Sequence, residues 1–468
     1  MTARLSRSVP LTVATALFME HLDSTVIATS LPAMAADLGL SPIRLNLAIT
    51  TYLVAMAVFI PVSGWIADRF GARRVFVAAI GVFLLGSIAC GSAPSLEVLV
   101  AGRALQGLGG AMMTPVGRLV LLRSIPKSEM ISAMAWLTVP ALIGPVLGPP
   151  LGGFVTTYAS WRWIFWINVP IGLIGIVAAL VLMPHIREEE TGPFDATGFV
   201  LSAVGLAALV FALETAGREV ASAAVEIGVL AVGLGLVAAY VVHARRIARP
   251  LIDVELLRIP TFRAGVLGGS IFRIGVGALP FLLPLQLQIG FGRTPLESGL
   301  TTFIAAVGAI GMKMTAGRII TRFGFRDTLT VNAVIAGGML AVIALVDAST
   351  PVAVLMAMLF VGGFFRSLEF TAINVVVFSD VDEARMSRAT SFSSMMQQLS
   401  LSAGVALGAT ALHLLGASDG RAPTSSDISL AIAVIGGLSM LAAVFFARLS
   451  TDAGAAMLEG RAARPEGE

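Results

Sequence analysis

The sequence predicts an all-α polytopic membrane protein of about fourteen transmembrane helices, built as two six-helix pseudo-symmetric bundles plus an inserted two-helix hairpin. Three observations carry this expectation. The 468-residue chain is 57% hydrophobic and 13% charged, whereas a soluble domain carries roughly 25% charged residues. Its apolar residues come in runs of the ~20 residues that a hydrocarbon core of about 30 Å requires. Arginines gather in alternate loops, and one loop motif recurs in the second half.

Spans are expected near 9–31, 44–66, 75–94, 98–122, 130–156, 163–183, 196–214, 223–242, 262–290, 297–320, 328–347, 351–378, 387–415 and 428–448. They group as an N-terminal six-helix bundle (1–190), a linker hairpin (191–250), a C-terminal six-helix bundle (251–449) and a disordered tail (450–468) rich in Ala, Gly, Glu and Arg. Positive charge orients the layout. Arg4 and Arg7, Arg69, Arg73 and Arg74, Arg123 and Lys127, Arg245, Arg246, Arg249 and Arg258, Arg322 and Arg326, Arg385 and Arg388, and Arg448, Arg461 and Arg464 all fall on one side. The other side holds only isolated arginines: Arg44, Arg162, Arg218, Arg293 and Arg421. Both termini are therefore expected in the cytoplasm, with the chain multi-pass in a bacterial inner membrane.

Several functions are excluded. Neither lysine, Lys127 or Lys313, stands in a P-loop context, so ATP hydrolysis by that route is absent. The single cysteine, Cys90, makes no internal disulfide. A net charge of +3 gives no case for nucleic acid. No cofactor, no metal and no catalytic constellation is expected. The stretch after Arg7 contains Glu20, His21 and Asp23 and reads as an uncleaved first span.

The internal repeat is Gly64-Trp65-Ile66-Ala67-Asp68-Arg69-Phe70-Gly71-Ala72-Arg73, echoed 253 residues later from Gly317 to Arg326. Gly, Arg, Phe, Gly and Arg recur at one spacing, in a short turn between two helices. Such repeats mark transporters whose substrate site lies between two bundles. Gly64, Asp68, Arg69, Gly71 and Arg73 are the expected conformational latch. The glycines permit close approach, and Asp68 and the arginines supply the charges.

Arg103 lies within the fourth span, where a charge is costly and marks function. Asp23 is its expected partner. It stands about 21 Å from the start of the first span. Arg103 lies about 22 Å from the cytoplasmic face of a 30 Å core. Glu20 shares the face of Asp23, three residues away. Burial disfavours the charge on such a carboxylate and a nearby arginine favours it, opposing pulls that suit a proton carrier. The alternative is a static ion pair. Asp23, Arg103 and Glu20 are thus the expected proton-coupling residues.

The fifth span carries Gly144, Pro145, Gly148, Pro149 and Gly152. Prolines remove helix hydrogen bonds and glycines allow close packing, which makes this the expected gating helix. Gln106, Arg273, Glu369, Asn374 and Gln398 are the expected substrate-cavity residues. Arg118 and Lys313 are expected to snorkel towards the cytoplasm, and Arg366 and Glu369 to pair with each other.

These motifs resemble the major facilitator superfamily, and within it the fourteen-span drug:proton antiporter-2 family and its MdtD-like branch. Gly64–Arg74 is similar to the superfamily's loop motif, and Leu22-Asp23-Ser24-Thr25 through Ala28-Thr29-Ser30-Leu31-Pro32 to the first-helix pattern. Arg103–Ala111 resembles the fourth-helix motif and Gly144–Gly153 the exporters' antiporter motif. Trp161–Gly172 resembles the junction of the fifth and sixth helices. The resemblance implies alternating access, proton antiport and export of drug-like or amphipathic small molecules. The ninth and tenth spans carry Arg273 and Lys313 where relatives handling dications carry acids. An organic anion or metal chelate is therefore an alternative cargo, and a facilitator without proton coupling an alternative mechanism. A non-transporting receptor is the third reading. The expected partners are a small-molecule substrate, protons and membrane lipid, with the chain a monomer.

Overall fold

The computed structural model describes residues 2–40, 42–126, 129–186, 192–215, 222–416, 424–455 and 457. Among them every regular element is a helix. The first half comprises α1 (Thr2–Leu38), α2 (Pro42–Phe59), α3 (Ser63–Phe70), α4 (Ala72–Gly91), α5 (Leu96–Ser124), α6 (Met130–Tyr158), α7 (Trp163–Trp166) and α8 (Asn168–Leu182). Helices α9 (Ala196–Thr215) and α10 (Ala223–Ala244) follow. The second half comprises α11 (Pro260–Leu285), α12 (Pro295–Ile343), α13 (Val352–Val376), α14 (Met386–Gly416), α15 (Ser425–Met440) and α16 (Ala442–Phe446).

Among the described residues, nine helices are long and apolar enough to cross a membrane, and one of them, Glu297–Ile343, holds two expected spans. Large apolar side chains such as Ile174, Val181 and Ile227 are exposed on the outside of the bundle, a surface that lipid covers and water would not. The protein is a multi-pass, all-helical membrane protein.

Local chemistry sets the helix ends. Thr294 accepts from the Glu297 N–H while Glu297 accepts from the Thr294 N–H. Thr424 and Asp427 form the same reciprocal cap. Helix α1 outruns the expected 9–31 at both ends and stops only before Gly39, which has φ 65°. The expected span 297–320 and most of 328–347 fall on one helix, α12, which ends at Ile343 and is broken at Gly324 (φ 74°, ψ 170°). Gly71, its counterpart in the repeat, has φ 92° between α3 and α4. Both turns need a backbone that L side chains rarely adopt, which explains why the glycine recurs.

The halves also repeat each other's packing. Helix α1 packs on α6 and α8 as α11 packs on α14 and α15, and α4 packs on α5 as α12 packs on α13. The halves meet where α6 crosses α12 and α13, and where α14 crosses α3 and α5. Helix α9 lies against α2 and α14, one helix from each half, with α10 outside it. The hairpin's base is pinned by Asp195 to His243 at 2.8 Å and by Trp65 Nε1 donating to the Gly192 carbonyl at 3.0 Å.

The start of the expected disordered tail is ordered. Residues 451–455 form turns, Ala453 and Met457 are buried, and Gly454 closes on the Phe325 ring. These small and apolar residues cover the second turn of the repeat. Residues 458–468 lie outside the described residues.

Candidate functional site

In the first half a carboxylate is enclosed by three donors from two other helices. Asp23 of α1 accepts from Arg103 Nη1 at 2.5 Å, Gln106 Nε2 at 2.9 Å and Asn168 Nδ2 at 2.6 Å. Arg103 also donates to Gln106 Oε1 at 2.8 Å and to the Ala48 carbonyl at 3.3 Å. Its guanidinium lies 4.2 Å from the centre of the Tyr52 ring. Ser87 of α4 accepts from Gln106 at 2.8 Å and Asn168 at 3.2 Å. Both charged side chains are 0% exposed. Removing one partner from such a pair costs roughly 3–5 kcal/mol, because the other charge stays buried.

Glycine allows this closeness. A Cβ on Gly86 would sit 2.6 Å from the Gly102 carbonyl, and one on Gly107 would sit 2.5 Å from the Tyr52 carbonyl. Helices α4 and α2 can therefore approach α5 closely enough for short polar side chains to bridge them. Glu20 lies one helical turn below Asp23 and accepts from Thr114 Oγ1 at 3.1 Å. The Tyr52 hydroxyl and the Glu20 carboxyl both border the space beside Gly110, at 3.3 and 3.7 Å from a Cβ built there. Tyr52 thus lies between Arg103 and Glu20.

The second half brings together Arg273, Asn374, Glu369 and Asn332. Arg273 donates to Asn374 at 3.2 Å, and Asn332 donates to Glu369 at 2.6 Å. Arg273 lies within electrostatic reach of Glu369 and of Arg118 from the first half. Arg118 is buried and donates to Gln397 of α14 at 3.2 Å. It bridges the halves and does not snorkel, because Gln397 and Ser394 offer acceptors where the snorkelling path would run. Glu369 is held by Asn332, not by Arg366. Gln398 is half-buried on α14. Gln106, expected in the cavity, belongs to the Asp23 cage, where its amide donates to Asp23 and Ser87.

The latch residues divide into two groups. Asp68 accepts from Arg123 at 3.0 Å and from the Ser387 hydroxyl of the second half. Gly64 N–H donates to Ser391 Oγ at 3.0 Å, and Arg123 reaches the Glu383 carbonyl at 3.4 Å. Arg73 turns the other way, to the Leu180 carbonyl and to His185 at 3.2 Å. Arg69 is exposed. Arg123, expected only as a loop charge, is therefore the arginine paired with Asp68.

On α6, Gly144 and Gly148 lie against α1. A Cβ on Gly144 would sit 2.8 Å from His21 Cβ, and one on Gly148 would sit 2.1 Å from Thr25 Oγ1. Gly152 is buried. The side chains of Pro145 and Pro149 lie outside the described residues. Helix α6 thus packs on α1 within its half and on α12 and α13 across the interface.

A family model described as Major Facilitator Superfamily matches residues 13–405 and 265–456. This chain belongs to the Major Facilitator Superfamily. It is a transporter and not an enzyme. It is 40% identical over 402 residues to "Putative multidrug resistance protein MdtD" of Serratia proteamaculans (strain 568), covering 84% of this chain and 83% of that one. It is 39% identical over 449 residues to the protein of the same description in Escherichia coli O157:H7, covering 94% of each. The fold matches the human organic anion transporter MFSD10 (TETRAN) at a TM-score of 0.68, with 14% identity and coverage of 94% and 99%. It matches the proton:xylose symporter XylE at 0.68, with 15% identity and coverage of 98% and 99%.

Sequence reasoning missed Asn168, Tyr52 and Ser87 among the residues around Asp23 and Arg103. Asn168 sits at the start of α8 in the Trp161–Gly172 motif, and its polarity before an apolar run was the available signal. Tyr52 and Ser87 give none, because helix rotation decides which way they face.

Proposed function

We propose that this chain is a proton-coupled exporter of small drug-like or amphipathic molecules, working by alternating access as a monomer in the bacterial inner membrane. Both termini and the arginine-rich loops lie in the cytoplasm. The single observation that carries the reading is the fully buried Asp23 cage, which ties α1 to α5 and α8 through one titratable group.

Protonating Asp23 removes the charge that holds Arg103, and the guanidinium then shifts towards the Ala48 carbonyl and the Tyr52 ring. Tyr52 passes that change towards Glu20. Helix α1 is released from α5, and its tight seam with α6 at Gly144 and Gly148 carries the movement to the interface. Asp68, Arg123, Ser387 and Ser391 hold the halves together at the arginine-rich end, which supports a state closed to the cytoplasm. Arg273, Glu369, Asn374 and Gln398 line the second-half side of the substrate path. Relatives about 40% identical over most of the chain are described as multidrug resistance proteins, which supports the cargo class.

Arg118 and Arg273, both buried and within electrostatic reach of each other, favour a second cargo reading, an organic anion or a metal chelate. Uptake into proteoliposomes under an imposed pH gradient tests both. The expected result is uphill accumulation of a fluorescent amphipathic drug or of an aromatic organic anion. Accumulation that ignores the pH gradient would contradict proton coupling and favour a facilitator.

A further inference from the structure

We propose that a groove on the outer flank of the first half, between α3, α4 and α5, binds an anionic phospholipid of the cytoplasmic leaflet. The groove holds about 620 Å³ and opens on the bundle surface. Its chemistry is polarised. Arg69 and Arg74, both exposed, stand at the end nearest the Gly71 turn, and no acidic residue lines the groove. The rest is apolar. Val75, Ala78 and Val82 follow one another along one face of α4, opposite Leu108 of α5. From Val75 to Val82 the floor runs about 10 Å towards the membrane interior. A second hollow of about 150 Å³ shares Phe70 and Arg74 with the first and adds Arg73 and His185, which extends the basic mouth.

One cationic end and one apolar trough match an amphiphile with an anionic head and a hydrocarbon chain. In a bilayer such a trough is filled by acyl chain, and basic pockets between helices on the cytoplasmic side take anionic headgroups. A free phosphate would use only the mouth, and a neutral lipid only the trough. The small side chain of Ala78 keeps the trough open. The site rests on reading the arginine-rich end as cytoplasmic, but its binding chemistry does not depend on transport.

The test uses the full chain, delipidated in mild detergent and incubated with equal amounts of phosphatidylglycerol and phosphatidylcholine. Retained lipid is counted by native mass spectrometry. Wild type is expected to retain phosphatidylglycerol several-fold over phosphatidylcholine, in the presence or absence of inorganic phosphate. Arg74→Gln is expected to lower that retention about fivefold. Ala78→Phe, which fills the trough and leaves both arginines, is expected to lower it as well. Equal retention of the two lipids by wild type would overturn the proposal. So would unchanged retention in Arg74→Gln, an exposed position whose change leaves the core alone, or displacement of the lipid by inorganic phosphate. Because nothing is transported in this assay, a failure of the exporter reading leaves its outcome intact.

Discussion

The two copies of the loop motif share a backbone and differ in their partners. Gly71 and Gly324 take the same left-handed turn at φ 92° and 74°. Arg73 bonds the Leu180 carbonyl near the end of α8, and Arg326 Nε bonds the Ala447 carbonyl just past α16 at 3.3 Å. In each copy the final arginine therefore ties the turn to the sixth span of its own half. The fifth residue separates them. Asp68 reaches Arg123 and, across the interface, Ser387. Its counterpart Thr321 donates back to the Gly317 carbonyl of its own helix at 2.7 Å. One copy thus holds the halves together, while the other only shapes its half. Duplication supplied the turn, and a single carboxylate made one of the turns a latch.

Substitutions can break this comparison, beginning with the strongest. Gly64→Ala would place a Cβ 2.7 Å from the Ser387 carbonyl and 2.8 Å from Ser391 Oγ. Overpacking of this kind costs about 1–3 kcal/mol. The closed state should lose roughly 5–150-fold in population. A cysteine placed at Ser394 should then react faster with a water-soluble thiol reagent from the arginine-rich side.

Asp68→Asn removes the charge that pairs with Arg123, whose side chain is only 4% exposed, and one of the two oxygens that accept from Arg123 and Ser387. The expected cost to the closed state is about 1–3 kcal/mol, read by the same labelling rate. Thr321→Ala, the matching change in the other copy, is expected to stay within about 0.5 kcal/mol. Equal effects from the two would erase the distinction. Arg73→Gln and Arg326→Gln should each lower thermal stability by about 1 kcal/mol, without changing the labelling rate at Ser394.

The smallest effect lies at the far end of the bundle. Arg162 at 2.5 Å and the Trp161 N–H at 3.0 Å hold the exposed Asp37 carboxyl below the usual carboxylate range. A lowered folded-state pKa adds stability above the unfolded value of about 4 and loses it as pH falls through the folded one. Asp37→Asn should lower the melting temperature slightly at neutral pH. Below both pKa values it should make no difference.

Much of this was legible in the chain. Hydrophobic runs gave the spans, and charge in the loops gave an expected orientation. Depth arithmetic alone brought Asp23 and Arg103 level, and they meet at 2.5 Å. Depth says nothing about rotation, so Gln106 was expected in the cavity but faces Asp23, and Asn168 was not foreseen. Arg123 looked like one more positive-inside charge because its partner lies 55 residues away in sequence. Arg118 looked like a snorkelling cation because its acceptors lie on α14, 276 and 279 residues away. Contacts between halves leave no periodicity in either segment.

The central claim is that Asp23 carries the proton whose movement drives export. Proteoliposomes loaded with a pH-sensitive dye and challenged with a panel of drug-like and anionic substrates test it directly, comparing wild type with Asp23→Asn. The account predicts substrate-dependent proton movement in wild type and at least a tenfold loss in the variant, equivalent to about 1.4 kcal/mol or more. Proton-coupled flux that survives intact in Asp23→Asn would contradict it and leave the Asp23–Arg103 pair as a structural tie.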